Sequence, residues 1–186
     1  MGRNYARMIV RNSIDLIMLE SALNGLDSNY KPTEQFIQSL DIGIEAKKAK
    51  SLCDLANLFL KVSKEFTIKS VKEYYIINCE RLSFETIEEA AKRLSIGIEK
   101  DVFYISYFEN TAIVSGIYSH GECTYTYKND ECEIYGMNSE LNGVENLINF
   151  FDIKMDRTNI EENMTPDLYE TMIDKIVKCI GEDVGF

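Results

Sequence analysis

The chain has 186 residues, 45% of them hydrophobic and 27% charged, with two prolines and no low-complexity tract or internal repeat, so it reads as one cooperative unit with its own core. Its net charge of −11 is uneven: residues 129–186 hold 14 acids against 4 bases (net −10), and residues 1–128 hold 17 against 16 (net −1). A one-sided negative field draws basic partners and repels nucleic acid and anionic membrane, which excludes both as partners.

From about Met8 to Glu65 the pattern reads as helical. Ile14, Leu16, Ile17, Leu19 and Leu23 form an apolar run closed by Gly25, and Thr33 after Pro32 suits an N-cap ahead of Phe36, Ile37 and Leu40. A longer helix carries Leu52, Leu55, Ala56, Phe59 and Val62 on one face, with Lys47, Lys48, Lys50, Lys61 and Lys64 around it as a solvated basic surface. The period changes near Thr67, and Val71–Ile77 reads as a strand rich in β-formers. Ser83 is placed to cap the next helix, where Ile87, Ala90, Ala91 and Leu94 make the buried stripe. Glu85, Glu88 and Glu89 crowd its first turn, as the helix dipole favours.

Between Asp101 and Gly136 the sequence predicts an antiparallel meander. Val102–Phe108 is apolar on both alternating faces, as a strand buried on both sides would be. Glu109-Asn110 connects it to Ala112–Tyr118, and Ser119-His120-Gly121 turns into Cys123–Tyr127. Asn129-Asp130 turns again before a fourth strand, Cys132–Tyr135. Two helices follow, one with Val144, Leu147, Ile148 and Phe151 on its stripe, the other running from Leu168 to Ile180 after Thr165-Pro166. The resulting fold class is α+β: a meander of four or five strands packed with helices, mainly on one face. A helical N-terminal segment (1–66) precedes the α+β core (67–186).

Little here points to catalysis. The single histidine, His120, sits in a predicted turn near Cys123, where a Cys–His nucleophilic pair would not converge. Phosphate loops, HExxH, GxSxG and calcium-loop spacing are absent, so no cofactor and no metal are expected. Asp130, Glu131 and Glu133 come nearest to a hard-cation site but lack alternating ligand spacing. The five cysteines are irregularly spaced and without CxxC, which suits reduced thiols in a cytoplasmic protein. A Cys123–Cys132 bridge would need those strands to pair, and a reducing compartment opposes it. Arg3, Arg7 and Arg11 precede an apolar stretch broken by Asp15, too short and charged for a signal or a membrane span. Met1-Gly2 lacks the Ser or Thr that myristoylation wants at position 6, which is Ala6.

One stretch resembles known proteins. It runs from the helix Glu85-Thr86-Ile87-Glu88-Glu89-Ala90-Ala91 through the strand pair Val102–Phe108 and Ile113–Tyr118 to Asn142-Gly143-Val144-Glu145-Asn146. This region, about residues 83–153, is similar to uncharacterised Gram-positive bacterial proteins, some of them resembling immunity proteins of polymorphic toxin systems. Their first hairpin turn more often reads as paired aspartates, where this chain has Glu109-Asn110. The resemblance covers under half the chain and implies no catalytic residue.

The leading expectation is therefore a non-enzymatic acidic binding protein, an immunity-like inhibitor that occludes a basic toxin or effector. Its partner-binding residues would be Asp130, Glu131, Glu133, Glu140, Asp152, Asp156, Glu161 and Glu162. A second reading is a small-molecule-binding or enzymatic domain with a sheet pocket lined by Tyr104, Tyr107 or Tyr125. A third is a homo-oligomeric structural protein.

Overall fold

The computed structural model describes residues 5–29, 66–78, 82, 86–108, 111–154 and 176. In chain order these form β1 (Tyr5–Arg11), α1 (Leu16–Asn29), β2 (Thr67–Val71), β3 (Tyr74–Asn78) and α2 (Ile87–Ile98). Then come β4 (Val102–Phe108), β5 (Ala112–Ser119), β6 (Glu122–Lys128), a 3-10 turn (Asp130–Tyr135), β7 (Glu140–Asn142) and α3 (Val144–Phe150). The strands make one seven-stranded sheet in the order β2-β3-β1-β4-β5-β6-β7, every pairing antiparallel. The α+β class holds, with more strands than the sequence suggested.

The largest departure is at the N-terminus, where a strand stands in place of the expected start of a helix. β1 pairs with β3 on one side and β4 on the other, so it is a central strand. Met8 and Val10 face one layer and Ile9 the other, all fully buried. A run buried on both sides is apolar without alternation, so its period cannot tell strand from helix. The expected helix does begin soon after. Asp15 Oδ1 accepts the N–H of Ile17 (2.8 Å) and starts α1, which buries Leu19 and Leu23 and leaves Leu16, Ile17 and Met18 exposed. The helices predicted over residues 30–65 and 168–180, and the turn Glu109-Asn110, lie outside the described residues, apart from buried Ile176.

The single strand predicted over Val71–Ile77 is a hairpin. Lys72 takes φ +51° at its tip, and Asn12 braces that tip by donating to Lys72 O (2.7 Å) and, from its backbone, to Glu73 O (2.8 Å). The β5–β6 hairpin falls where predicted. His120 and Gly121 both have positive φ, the primed geometry that matches strand twist. Ser95 of α2 is fully buried and accepts the Gly121 N–H at 2.9 Å, which ties that turn to the helix above it.

Helices cover both faces. On one, α1 and α2 pack through Leu19, Leu23, Ile87, Ala91 and Leu94 onto Met8, Val10, Val102, Tyr104 and Val114. On the other, Val144, Leu147 and Ile148 of α3, with Phe151, pack onto Ile9, Phe103, Ile105, Ile117 and Tyr125. Burying each such side chain contributes roughly 1.5–3 kcal/mol, so this three-layer arrangement replaces the expected one-sided packing. Phe151 meets Phe103 edge-on at 5.0 Å and Tyr74 at 5.5 Å, fixing the end of α3 over β3 and β4.

Candidate functional site

The acids at 130–133 stand on the 3-10 turn, in the place where the sequence suggested a fourth strand. Asn129 builds the turn. Its Oδ1 accepts the Ile113 N–H (2.9 Å), and its Nδ2 donates to Thr111 O and to Glu131 Oε2 (both 2.7 Å). Cys132 faces inward, fully buried, with its thiol 3.3 Å from Ile113 O. Gly136, at φ +78°, ends the turn by donating to Glu133 O. With Cys132 as the inward anchor, Asp130, Glu131, Glu133, Ile134 and Tyr135 are all left exposed. Ile134 is 78% exposed, with Tyr135 exposed beside it, so two apolar side chains stand among the carboxylates of this turn.

Glu140 lies on edge strand β7, in register with Lys128 of β6. Their side chains pair at 3.5 Å, and Asn142 also donates to Glu140 (3.0 Å), so part of this charge is already met. Asp152 stands elsewhere. It follows α3 with φ +53°, beyond Phe150, whose carbonyl accepts from Arg11 at the Val102 end of β4. The acidic turn is pinned instead to Ile113, opposite Tyr107 near the Phe108 end. A seven-residue strand, roughly 20 Å, separates the two places. The structure thus brings together Asp130, Glu131 and Glu133, places Glu140 one strand away, and sets Asp152 apart. Asp156, Glu161 and Glu162 lie outside the described residues.

Of the tyrosines expected to line a sheet pocket, Tyr107 is half-buried on β4 and the other two are in the core. Tyr104 and Tyr125 are core side chains on opposite faces of the sheet, 0% and 2% exposed. Tyr104 lies across Gly116 and stacks on Tyr118 (6.0 Å), whose hydroxyl donates to Glu88 (2.8 Å). Burial pushes the Tyr104 and Tyr118 phenols above their ordinary range, aided by Glu88. Glu88 is thus the acceptor for a core tyrosine as well as a charge on the first turn of α2. Cys123 and Cys132 are both free thiols, with pKa raised by burial and therefore weakly nucleophilic. The bridge between them does not form, because Cys132 lies on the turn and not on a strand beside β6. His120 is an exposed hairpin residue, bonded to Ser119 Oγ at 3.1 Å.

Among the described residues no cluster of three or more His, Cys, Asp or Glu could hold a metal ion, and no helix is long and apolar enough to cross a membrane. The chain matches no protein-family model, curated protein or solved structure. Sequence reasoning missed Ile134 and Tyr135 as surface groups because an apolar pair beside a turn reads first as the start of a strand. Glu131 and Glu133 alternate with Cys132 and Ile134 just as a half-buried strand would, so the local pattern held no signal against a strand.

Proposed function

We propose that this protein is a non-enzymatic binding protein, an immunity-like inhibitor that occludes a basic toxin or effector through the 3-10 turn Asp130–Tyr135. The observation that supports it is the exposed Ile134 set among Asp130, Glu131 and Glu133 on a turn held rigid by Asn129 and Cys132. An apolar anchor within a charged rim is how interfaces combine binding energy with orientation. The rim carboxylates steer a basic partner and disfavour acidic ones, and a rigid turn loses little entropy on docking. Occlusion requires no catalytic group on this chain.

The test uses immobilised protein exposed to native-host extract, beside the variants Ile134→Asp and Glu131→Lys/Glu133→Lys. A basic protein should be retained by the wild type and released at high salt. With that partner purified, each variant should weaken Kd by at least about tenfold. Equal retention of the same partner by the charge-reversed variant would end the proposal.

A further inference from the structure

A second place on the molecule carries the marks of a small-ligand site, at the opposite end of β4 from the acidic turn. The pairings Val10–Val102 and Val102–Tyr118 bring the next residues, Arg11, Asp101 and Ser119, into one row across β1, β4 and β5. Strand alternation sets this row on the face of Ile9, Phe103 and Ile117, the face that α3 covers. Between the row and α3 lies a cavity of about 270 Å³, lined by Arg11, Asp101, Ser119, Asn146, Ile117 and Phe150 among others.

Its electrostatics are unusual. Arg11 and Asp101 are neighbours across the strands and line one cavity, yet they do not pair. The guanidinium turns to the end of α3, with Nε donating to Phe150 O (3.1 Å) and Nη2 to Asn149 O (2.9 Å) and Phe150 O (2.8 Å). That fixes the cation in place, leaves Nη1 without a partner among the described residues, and leaves Asp101 without any such partner. Asn146 is held likewise, its Nδ2 donating to Thr124 O at 2.7 Å. An anion entering this cavity would meet Asp101, and a cation would meet Arg11. A ligand carrying both charges satisfies each in turn, and the accessible lining around them is polar, with Ser119, Asn146 and Asn149 beside the two charges.

We propose that this cavity binds a small free α-amino acid. Its carboxylate faces Arg11 and its ammonium faces Asp101. The volume suits such a molecule and is too small for a nucleotide.

The experiment is an NMR titration of the full chain with each free amino acid in turn, alongside the N-acetyl and methyl-ester forms of any binder. Saturable shifts are expected at the amides of Asp101, Ser119 and Asn146, with a small amino acid as the best ligand. Blocking either end should weaken binding at least about tenfold, as should Asp101→Asn, which removes an exposed carboxylate without disturbing a described contact. The proposal is overturned if no free amino acid gives saturable shifts there up to about 10 mM. Equal binding by the blocked forms or by Asp101→Asn overturns it as well.

Discussion

Tyr104→Phe should make the protein more stable. The Tyr104 side chain is 0% exposed, and its hydroxyl has no hydrogen-bond partner among the described residues. A buried hydroxyl left unmet costs about 1–3 kcal/mol, because it gives up water without a replacement. Removing the oxygen leaves a void on the order of 10 Å³, which at the slope seen in cavity-forming substitutions costs only about 0.2–0.3 kcal/mol. The ring's stacking on Tyr118 at 6.0 Å is kept. A net gain of about 1–2 kcal/mol follows, which in a chain of this size raises Tm by about 2–8 °C.

Urea denaturation and scanning calorimetry at neutral pH, wild type beside variant, would measure it. The comparison is clean because the two side chains differ by one atom and no exposed group changes. A loss of stability of about 1 kcal/mol or more would refute the reasoning. It would mean that the hydroxyl is satisfied in solution, as by a buried water with its own polar partners.

Three further outcomes follow from the same core and its supports. Gly116→Ala would set a Cβ 2.6 Å from Tyr104 Cε1 and 2.8 Å from its Cζ and hydroxyl, so it should cost about 2–3 kcal/mol in urea unfolding, with Tyr104→Leu recovering part of the loss in a double-mutant cycle. Gly143→Ala places a side chain at φ +70° against the Thr124 carbonyl, and should cost at least about 2 kcal/mol and reduce hydrogen-exchange protection in α3 first. In alkali, unfolded tyrosines ionise near pH 10 while Tyr104 and Tyr118, raised by burial, stay protonated. Stability is therefore full below about pH 10 and falls above it by about 1.4 kcal/mol per pH unit for each tyrosine, and Tyr104→Phe should remove one of those two slopes.

Local chemistry was legible in the sequence wherever one stretch determined its own structure. The apolar run Val102–Phe108, the His120-Gly121 turn and the stripe Val144, Leu147, Ile148, Phe151 all lie where their patterns put them. What escaped was non-local. Nothing near Met8–Val10 indicates that this segment inserts between β3 and β4, because the partners that make it a strand lie more than 60 residues away. The hairpin at Lys72-Glu73 lacks the usual Asn-Gly signal and relies on Asn12, again from a distant segment. The acidic residues were legible as a charge excess, but their division between the two ends of β4 depends on where α3 crosses the sheet.

That crossing also says where function can reside. With α1 and α2 on one face and α3 on the other, the middle of the central strands is buried, and Phe103, Tyr104 and Tyr125 serve the core. Surface chemistry is left to the strand ends and turns, and the two ends of β4 differ in kind. At the Phe108 end, Asn129 and Cys132 hold a convex turn that presents Ile134 among carboxylates, a shape suited to entering a partner. At the Val102 end, Arg11 and Asp101 face a concave space without neutralising each other, a shape suited to enclosing a small ligand. Charge reversal at Glu131 and Glu133 should therefore leave amino-acid binding unchanged, and Asp101→Asn should leave capture of the basic partner unchanged. Sites this far apart with no shared contacts act additively, and a strong effect of either change on the other site would show that α3 couples them.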